Sequence, residues 1–355
     1  MRRSLLLTIH FATHIPQPRF NSTMATNSVP EVMKAVQMRR TGGPEVLQYK
    51  MDFPVPVPGD GEILVQNEFI GINFVDVYWR MGMMGMAPNG IIGREGEGRI
   101  VALGPGNHRG LNIGDRVGWL SMGAYAEYTA VPAPLAHRLP ADIEPGIAAA
   151  SLMQGLTALA LIHKVTQVKE GDWILVHAAA GGVGSWLCQL LSPLGVKIIA
   201  TASTPEKLQL AKDRGAQYIV NYKEAEFVEQ IQQITGQHGV DVVFDGIGRE
   251  QTENNMNLVA KNGSIITYGA ASGAPGFISQ QRLAAKNIRL VGPAETAVMR
   301  HLGLEFGFWC SKLMESIKED KIDVKIHHTY VLSDIVQVHQ DLQGRKTTGK
   351  VLVKP

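Results

Sequence analysis

The chain has 355 residues, with 34 Lys and Arg against 32 Asp and Glu and a formal charge of +2, which argues against a partner gripped through nucleic-acid phosphates. Its 45% apolar and 19% charged composition excludes disorder throughout, and its length fits two domains or one large one. Cys188 and Cys310 stand far apart with no Cys-x-x-Cys pair, so neither a disulfide-built scaffold nor a cysteine zinc site is expected.

Residues 1–30 hold Arg2, Arg3 and Arg19 and no acid, so this stretch carries +3 and the remainder −1. With Leu5, Leu6, Leu7, Ile9 and Phe11 among hydroxyl residues, it has the composition of a mitochondrial presequence. His10 and His14 interrupt the apolar run, which fits a secretory signal less well. A disordered tail, or a true start at Met24, is the alternative, and both a mitochondrial and a cytoplasmic location are compatible with the sequence.

From Val32 to about Val131, short apolar alternations such as 62–67 and 98–103 lie between Gly and Pro residues, which predicts a small β-rich domain. Pro54, Pro56 and Pro58 mark an extended connector. The apolar stretch 147–162 contains Ser151, Gln154, Gly155 and Thr157 and reads as a buried helix; no stretch reaches the roughly 18 uninterrupted apolar residues of a membrane span. From Glu170 the texture changes to alternating strands and helices: strand 173–177, helix 183–194, strand 196–201, helix 205–214, strand 240–245, a helix, and strand 264–268. That alternation predicts an α/β unit, a parallel sheet covered by helices on both faces.

Between the first strand and helix of this unit lies His177-Ala-Ala-Ala-Gly-Gly-Val-Gly184, which fits G-x-G-x-x-G with Ala179, Gly181 and Gly184. Small residues let the strand turn directly into the helix and let backbone approach a pyrophosphate, to which the helix N-terminus offers N–H groups. An acid ending the second strand would receive the ribose hydroxyl of NAD. Here Ala202-Ser203-Thr204-Pro205-Glu206-Lys207 has a hydroxyl there and a cation four residues on, and Tyr222 stands in the turn after the third strand. A 2′-phosphate suits Ser203, Lys207 and Tyr222, so NADPH is the expected cofactor. Ser203 and Glu206 also have capping-box spacing, a purely structural alternative.

Gly71-Ile-Asn-Phe-Val-Asp-Val-Tyr-Trp-Arg-Met-Gly82, Gly114-Asp-Arg-Val117, Gly155-Leu-Thr157, the glycine turn, Asp245-Gly-Ile-Gly248 and Gly349-Lys-Val-Leu-Val353 occur in one order. Together they resemble the NADPH:quinone oxidoreductases, the zeta-crystallin-like, zinc-free members of the medium-chain dehydrogenase/reductases. The resemblance implies a GroES-like β-rich catalytic domain (31–154), a Rossmann doubly wound parallel-sheet domain (155–290), and a C-terminal return to the first domain (291–355). It implies Asn73, Asp76, Tyr78 and Thr157 around the nicotinamide, with Gly181, Gly182, Val183 and Gly184 at the pyrophosphate. Gly246, Tyr268, Gly269 and Ala270 would border the ribose and nicotinamide. The implied reaction is metal-free reduction of a quinone, or of the activated C=C bond of an enal or enone, by a homodimer. Each site residue also has a plainer role, as turn, core ring or packing glycine.

Gly93-Arg94-Glu95 stands where the zinc alcohol dehydrogenases resembled by this chain have Gly-His-Glu, which disfavours zinc-assisted alcohol oxidation. Three departures from the quinone reductase pattern stand out. The run Met81-Gly-Met-Met-Gly-Met86 makes either an adaptable substrate rim or core filling; Gly292-Pro293 replaces an Arg-Pro; and Gly246 replaces a Ser found in some relatives. His177 and Cys188 are expected to be buried and inert. The resemblance also brings a reading from another class, an RNA-binding or structural crystallin-like protein, but no aromatic-basic pattern supports nucleic-acid binding.

Overall fold

The computed structural model describes residues 29–85, 90–292 and 305–355; the leader up to residue 28, Met86 and Pro293 lie outside them. Strands β1 (Val32–Met38) and β2 (Leu47–Pro54) form an antiparallel ribbon that stops at the alternating prolines. Strands β3 (Glu62–Ile72), β4 (Glu95–Leu103), β5 (Arg116–Leu120), β6 (Tyr128–Pro132) and β7 (Ala136–Arg138) pair antiparallel. β3 runs five residues past the alternation read from the sequence. Asn67 looked like its polar end, but its buried amide donates to Ala126 O and Thr129 Oγ1, both at 2.9 Å, and the strand continues beyond a register shift.

Helix α1 (Phe74–Arg80) leaves the end of β3, and α2 (Ile147–Ala160) follows the first sheet and ends in a π turn to Val165. The combined helix is long and apolar enough to resemble a membrane span, yet it is 72% buried inside the protein. The expected boundary at 154/155 cuts through α2. Apolar side chains all round this helix pack it against residues of both halves.

Strands β8 (Trp173–Val176), β9 (Lys197–Ala202), β10 (Tyr218–Asn221), β11 (Val240–Asp245), β12 (Val259–Thr267) and β13 (Arg289–Val291) are all parallel. Their order across the sheet, β10-β9-β8-β11-β12-β13, is the doubly wound 3-2-1-4-5-6 order. Helices α3 (Gly182–Leu191), α4 (Pro205–Asp213), α5 (Phe227–Ile234), α6 (Thr252–Leu258) and α7 (Gln280–Lys286) connect them. α3 is shorter than its apolar pattern because Pro193 tightens the last turn. Helix α8 (Phe306–Lys318) packs in the core that contains Trp186 and Leu187. Strand β14 (Ile326–Val331), helix α9 (Ile335–Gln343) and β15 (Lys350–Lys354) follow, and β15 pairs with β3 in the first sheet.

Candidate active site

A cleft of about 820 Å³ runs between the two sheets, over the carboxyl ends of β8, β9, β11 and β12, and is lined by Asn73, Tyr78, Thr157, Gly181, Gly182, Val183, Gly184, Ser203, Lys207, Tyr222, Gly246, Tyr268, Gly269 and Ala270. The fold thus brings together fourteen of the fifteen residues picked out from the sequence. Asp76 alone lies elsewhere, as described below.

At the glycine turn Ala178 takes a left-handed conformation (φ 50°), and its carbonyl receives the Gly181 N–H at 2.8 Å. A Cβ on Gly184 would fall 2.5 Å from Ala178 O and 2.8 Å from Ala179 Cα, so only glycine lets α3 start this close to β8. At the edge of the cleft, Thr204 Oγ1, not Ser203, caps α4 by accepting from Lys207 N at 3.3 Å. The capping-box alternative is thereby corrected in register: a β-region residue directly before Pro205 supplies the cap, and Ser203 faces the cleft. Lys207 Nζ donates to Arg345 O at 2.7 Å. Partial burial, then the positive charges of Arg345 and Lys223, lower the Lys207 pKa. Arg345, from the loop between α9 and β15, lines the same corner and pairs with Glu250 at 3.2 Å.

Toward the opposite end, the Ala270 N–H donates to Tyr78 Oη at 2.6 Å, bridging α1 and the Rossmann sheet. Burial, then the nearby Asp245 carboxylate against this hydrogen bond, keep the Tyr78 phenol pKa raised. Tyr268 is half-buried beside it, with its own pKa pushed up mainly by desolvation. Gly246 lies under the Tyr268 ring: a Cβ there would meet ring atoms at 2.8–2.9 Å, so a side chain at this place requires the ring to move. Thr157 lines the wall but commits its hydroxyl proton to Met153 O at 2.6 Å. Met83 and Met84 reach the cleft, so part of the methionine run forms its rim, and Gly292 borders it as well.

Asp76 is fully buried behind α1 and does not line the cleft. Its Oδ2 accepts from Asn73 N and from Tyr125 Oη, each at 2.9 Å. Burial of a carboxylate requires such donors, and they hold it at the helix N-terminus rather than in the site. Tyr125 Oη in turn meets His339 Nε2 at 3.0 Å, and Arg80 Nη1 meets His339 Nδ1 at 3.3 Å. Arg80 is only a donor, so Nδ1 must accept and Nε2 carries the proton.

His177 is buried with both nitrogens engaged, by Thr201 Oγ1 and Asn255 Oδ1 at 2.8 Å each, as expected of a core histidine. Burial raises the Cys188 thiol pKa to about 12, so it is inert. Sequence reasoning missed Gln154, Asp245, Asn255, Arg345 and Thr347, which also line the cleft. Asp245 was quoted only as part of a motif; its carboxylate accepts from Ile247 N, Gly248 N and Asn255 Nδ2 and shapes the loop after β11. Arg345 gave no local signal, because a basic residue between Gly344 and Lys346 reads as a solvated loop.

A GroES-like β unit joined to a 3-2-1-4-5-6 sheet, with the cleft between them, is the architecture of the medium-chain dehydrogenase/reductases. Family models agree: residues 59–141 match the alcohol dehydrogenase GroES-like domain, and residues 182–301 match the model described as zinc-binding dehydrogenase. The chain is 35% identical to a probable quinone oxidoreductase of Schizosaccharomyces pombe, over 90% of this chain and 96% of that one. It is 31% identical to a 2-haloacrylate reductase of a Burkholderia species, over 91% and 99%. The crystal structure of Escherichia coli quinone oxidoreductase complexed with NADPH superposes with a TM-score of 0.86 at 33% identity, covering 91% of this chain and all of that one. The chain belongs to the zinc-free quinone oxidoreductase branch of the medium-chain dehydrogenase/reductase family. Among the described residues no group of three His, Cys, Asp or Glu side chains converges as metal ligands would.

Proposed function

We propose that this protein reduces quinones with NADPH by hydride transfer in the cleft. The observation that carries the reading is the single cavity joining the glycine turn and the Ser203–Lys207–Arg345 corner to Tyr78 and Ala270. The residues present fit the cofactor. The N-terminus of α3 and its side-chain-less turn suit a pyrophosphate, and the cations Lys207 and Arg345 beside Tyr222 suit a 2′-phosphate where NAD sites carry an acid. When bound, NADPH supplies hydride from C4 of its nicotinamide.

The chain itself orients and polarises. Gly246, Gly269 and Ala270 allow close approach along one side of the nicotinamide position, and Thr157 walls the other. Tyr78 receives the Ala270 N–H on its oxygen, so its own proton points elsewhere, and burial keeps it a neutral donor. It thus supplies a hydrogen bond to a quinone oxygen that gains charge as hydride arrives. The apolar wall of Ile72, Phe74, Val75, Met83 and Met84 suits a flat neutral acceptor and excludes water.

Similarity to the 2-haloacrylate reductase favours a second reading, reduction of an activated C=C bond in the same geometry. Turnover with NADPH and either a short quinone or an unsaturated aldehyde separates the two readings; no NADPH oxidation with either refutes both. Strand β13, at the edge of the parallel sheet with Leu290 42% exposed, supports pairing of two copies into a homodimer, to be tested by sedimentation.

A further inference from the structure

Several polar side chains of the cleft are already committed within the protein. The Thr157 hydroxyl donates to Met153 O, Asn73 bonds Lys350 and Glu95, and Asn255 bonds His177 and Asp245. Gln154 differs. It stands on α2 three residues before Thr157, is half-buried and lines the cleft, and among the described residues its carboxamide has no hydrogen-bond partner. Its place is tied to the glycine turn: a Cβ on Gly182 would fall 2.2 Å from Gln154 Cδ and Nε2 and 2.6 Å from Oε1. The carboxamide therefore occupies the volume that a side chain would fill at the first position of α3.

The backbone donors at the start of α3 are open as well, as the first N–H groups of a helix are unless something caps them. Among the described residues no acceptor meets the N–H groups of Gly182, Val183 and Gly184. Gln154 thus adds a side-chain amide beside three backbone donors. It also stands between the turn suited to the pyrophosphate and Thr157, which walls the nicotinamide position, so the phosphate on the nicotinamide side must pass it. A phosphate oxygen only accepts, and an uncommitted carboxamide can turn an Nε2 hydrogen toward it. We propose that Gln154 is a further cofactor-binding residue, donating from Nε2 to the nicotinamide-side phosphate of NADPH, and that Gly182 lacks a side chain in order to admit it. This rests on the cofactor reading above.

The test is equilibrium binding to the full chain, without quinone, of three ligands. NADPH is followed by its fluorescence. Calorimetry follows 2′-phospho-ADP-ribose, which keeps both phosphates but lacks nicotinamide, and 2′,5′-ADP, which lacks the nicotinamide-side phosphate. Gln154→Ala should raise Kd for NADPH and for 2′-phospho-ADP-ribose about tenfold, the lower end for a hydrogen bond to a charged group. Binding of 2′,5′-ADP should be unchanged, which also shows that the variant is folded. Gln154→Glu keeps the size and the packing on Gly182 but replaces the donor by a negative charge, so it should weaken NADPH more than Gln154→Ala does. NADPH binding by Gln154→Glu equal to wild type would leave Gln154 a packing residue and overturn the inference. So would unchanged NADPH binding by Gln154→Ala, a loss for NADPH without one for 2′-phospho-ADP-ribose, or an equal loss for all three ligands. Wild-type protein that binds none of the three refutes the cofactor reading instead, before any variant is compared.

Discussion

Replacing His339 by Gln should flatten the acid side of the stability profile. His339 is fully buried, and burial, reinforced by Arg80, lowers its pKa from 6.5 to about 3. The groups around it are Arg80, Tyr125 and, through Tyr125, Asp76. In the unfolded chain the imidazole titrates near 6.5. Between that value and about 3 the unfolded state therefore binds a proton that the folded state refuses. The stability contribution of this group is complete above pH 6.5 and is lost as pH falls toward the folded value, at about 1.4 kcal/mol per pH unit, reaching about 5 kcal/mol in total by pH 3. Gln can accept from Arg80 and donate to Tyr125 as the neutral imidazole does, but it does not titrate. Urea unfolding followed by tryptophan fluorescence from pH 7.5 to 4 measures both proteins. The gap between them should close by about 1.4 kcal/mol for each unit below pH 6, with the wild type the one losing ground. Parallel curves would refute the neutral, buried assignment.

Three further outcomes follow from the cleft. Lys207→Ala and Arg345→Ala each remove a charged hydrogen-bond donor worth about 1.5–3 kcal/mol at a phosphate, so kcat/KM for NADPH should fall about 10- to 100-fold while that for NADH is unchanged; equal losses for both cofactors would remove these residues from the 2′-phosphate corner. Gly246→Ser drives a Cβ to 2.8 Å from the Tyr268 ring and should destabilise the protein by about 1–3 kcal/mol in thermal or denaturant unfolding, whereas an unchanged melting point means the ring moves without cost. On the proposed role of Tyr78 as donor to the quinone oxygen, Tyr78→Phe should lower kcat about 100-fold. Because burial raises the Tyr78 pKa above its ordinary 10.0, wild-type kcat should show no decline from its ionisation below about pH 10, as a pH–rate profile will show.

The parts of the site legible in the sequence were those that neighbouring residues dictate. A strand running into Ala-Ala-Ala-Gly-Gly-Val-Gly and then a helix has few other ways to fold, since a side chain at Gly184 collides with the turn carbonyl. Likewise an apolar strand followed by Ser-Thr-Pro announces both a helix start and the missing acid. The capping residue slipped by one place because Ser203 and Thr204 offer the same hydroxyl, and only the backbone direction before Pro205 chooses between them. Asp76 misled for a different reason. A polar residue three places from Asn73 and two from Tyr78 shares their helix, and its removal from the cleft depends on Tyr125 and His339, far along the chain.

The same separation explains Lys350. The apolar run Val351-Leu-Val353 between Lys350 and Lys354 reads as a buried strand with charged ends in solvent, and Lys354 obeys it. Lys350 is drawn inward because Glu95 and Asn73, 255 and 277 residues earlier, are already buried at the end of β3 and the start of β4. Long-range polar satisfaction therefore overrides local pattern where the two ends of the chain meet. It does so at the cleft, because there the C-terminal return supplies Arg345 at one end and Lys350 behind the other. A site assembled this way exists only once β15 has paired with β3, so cofactor binding and docking of the last strand should be lost together.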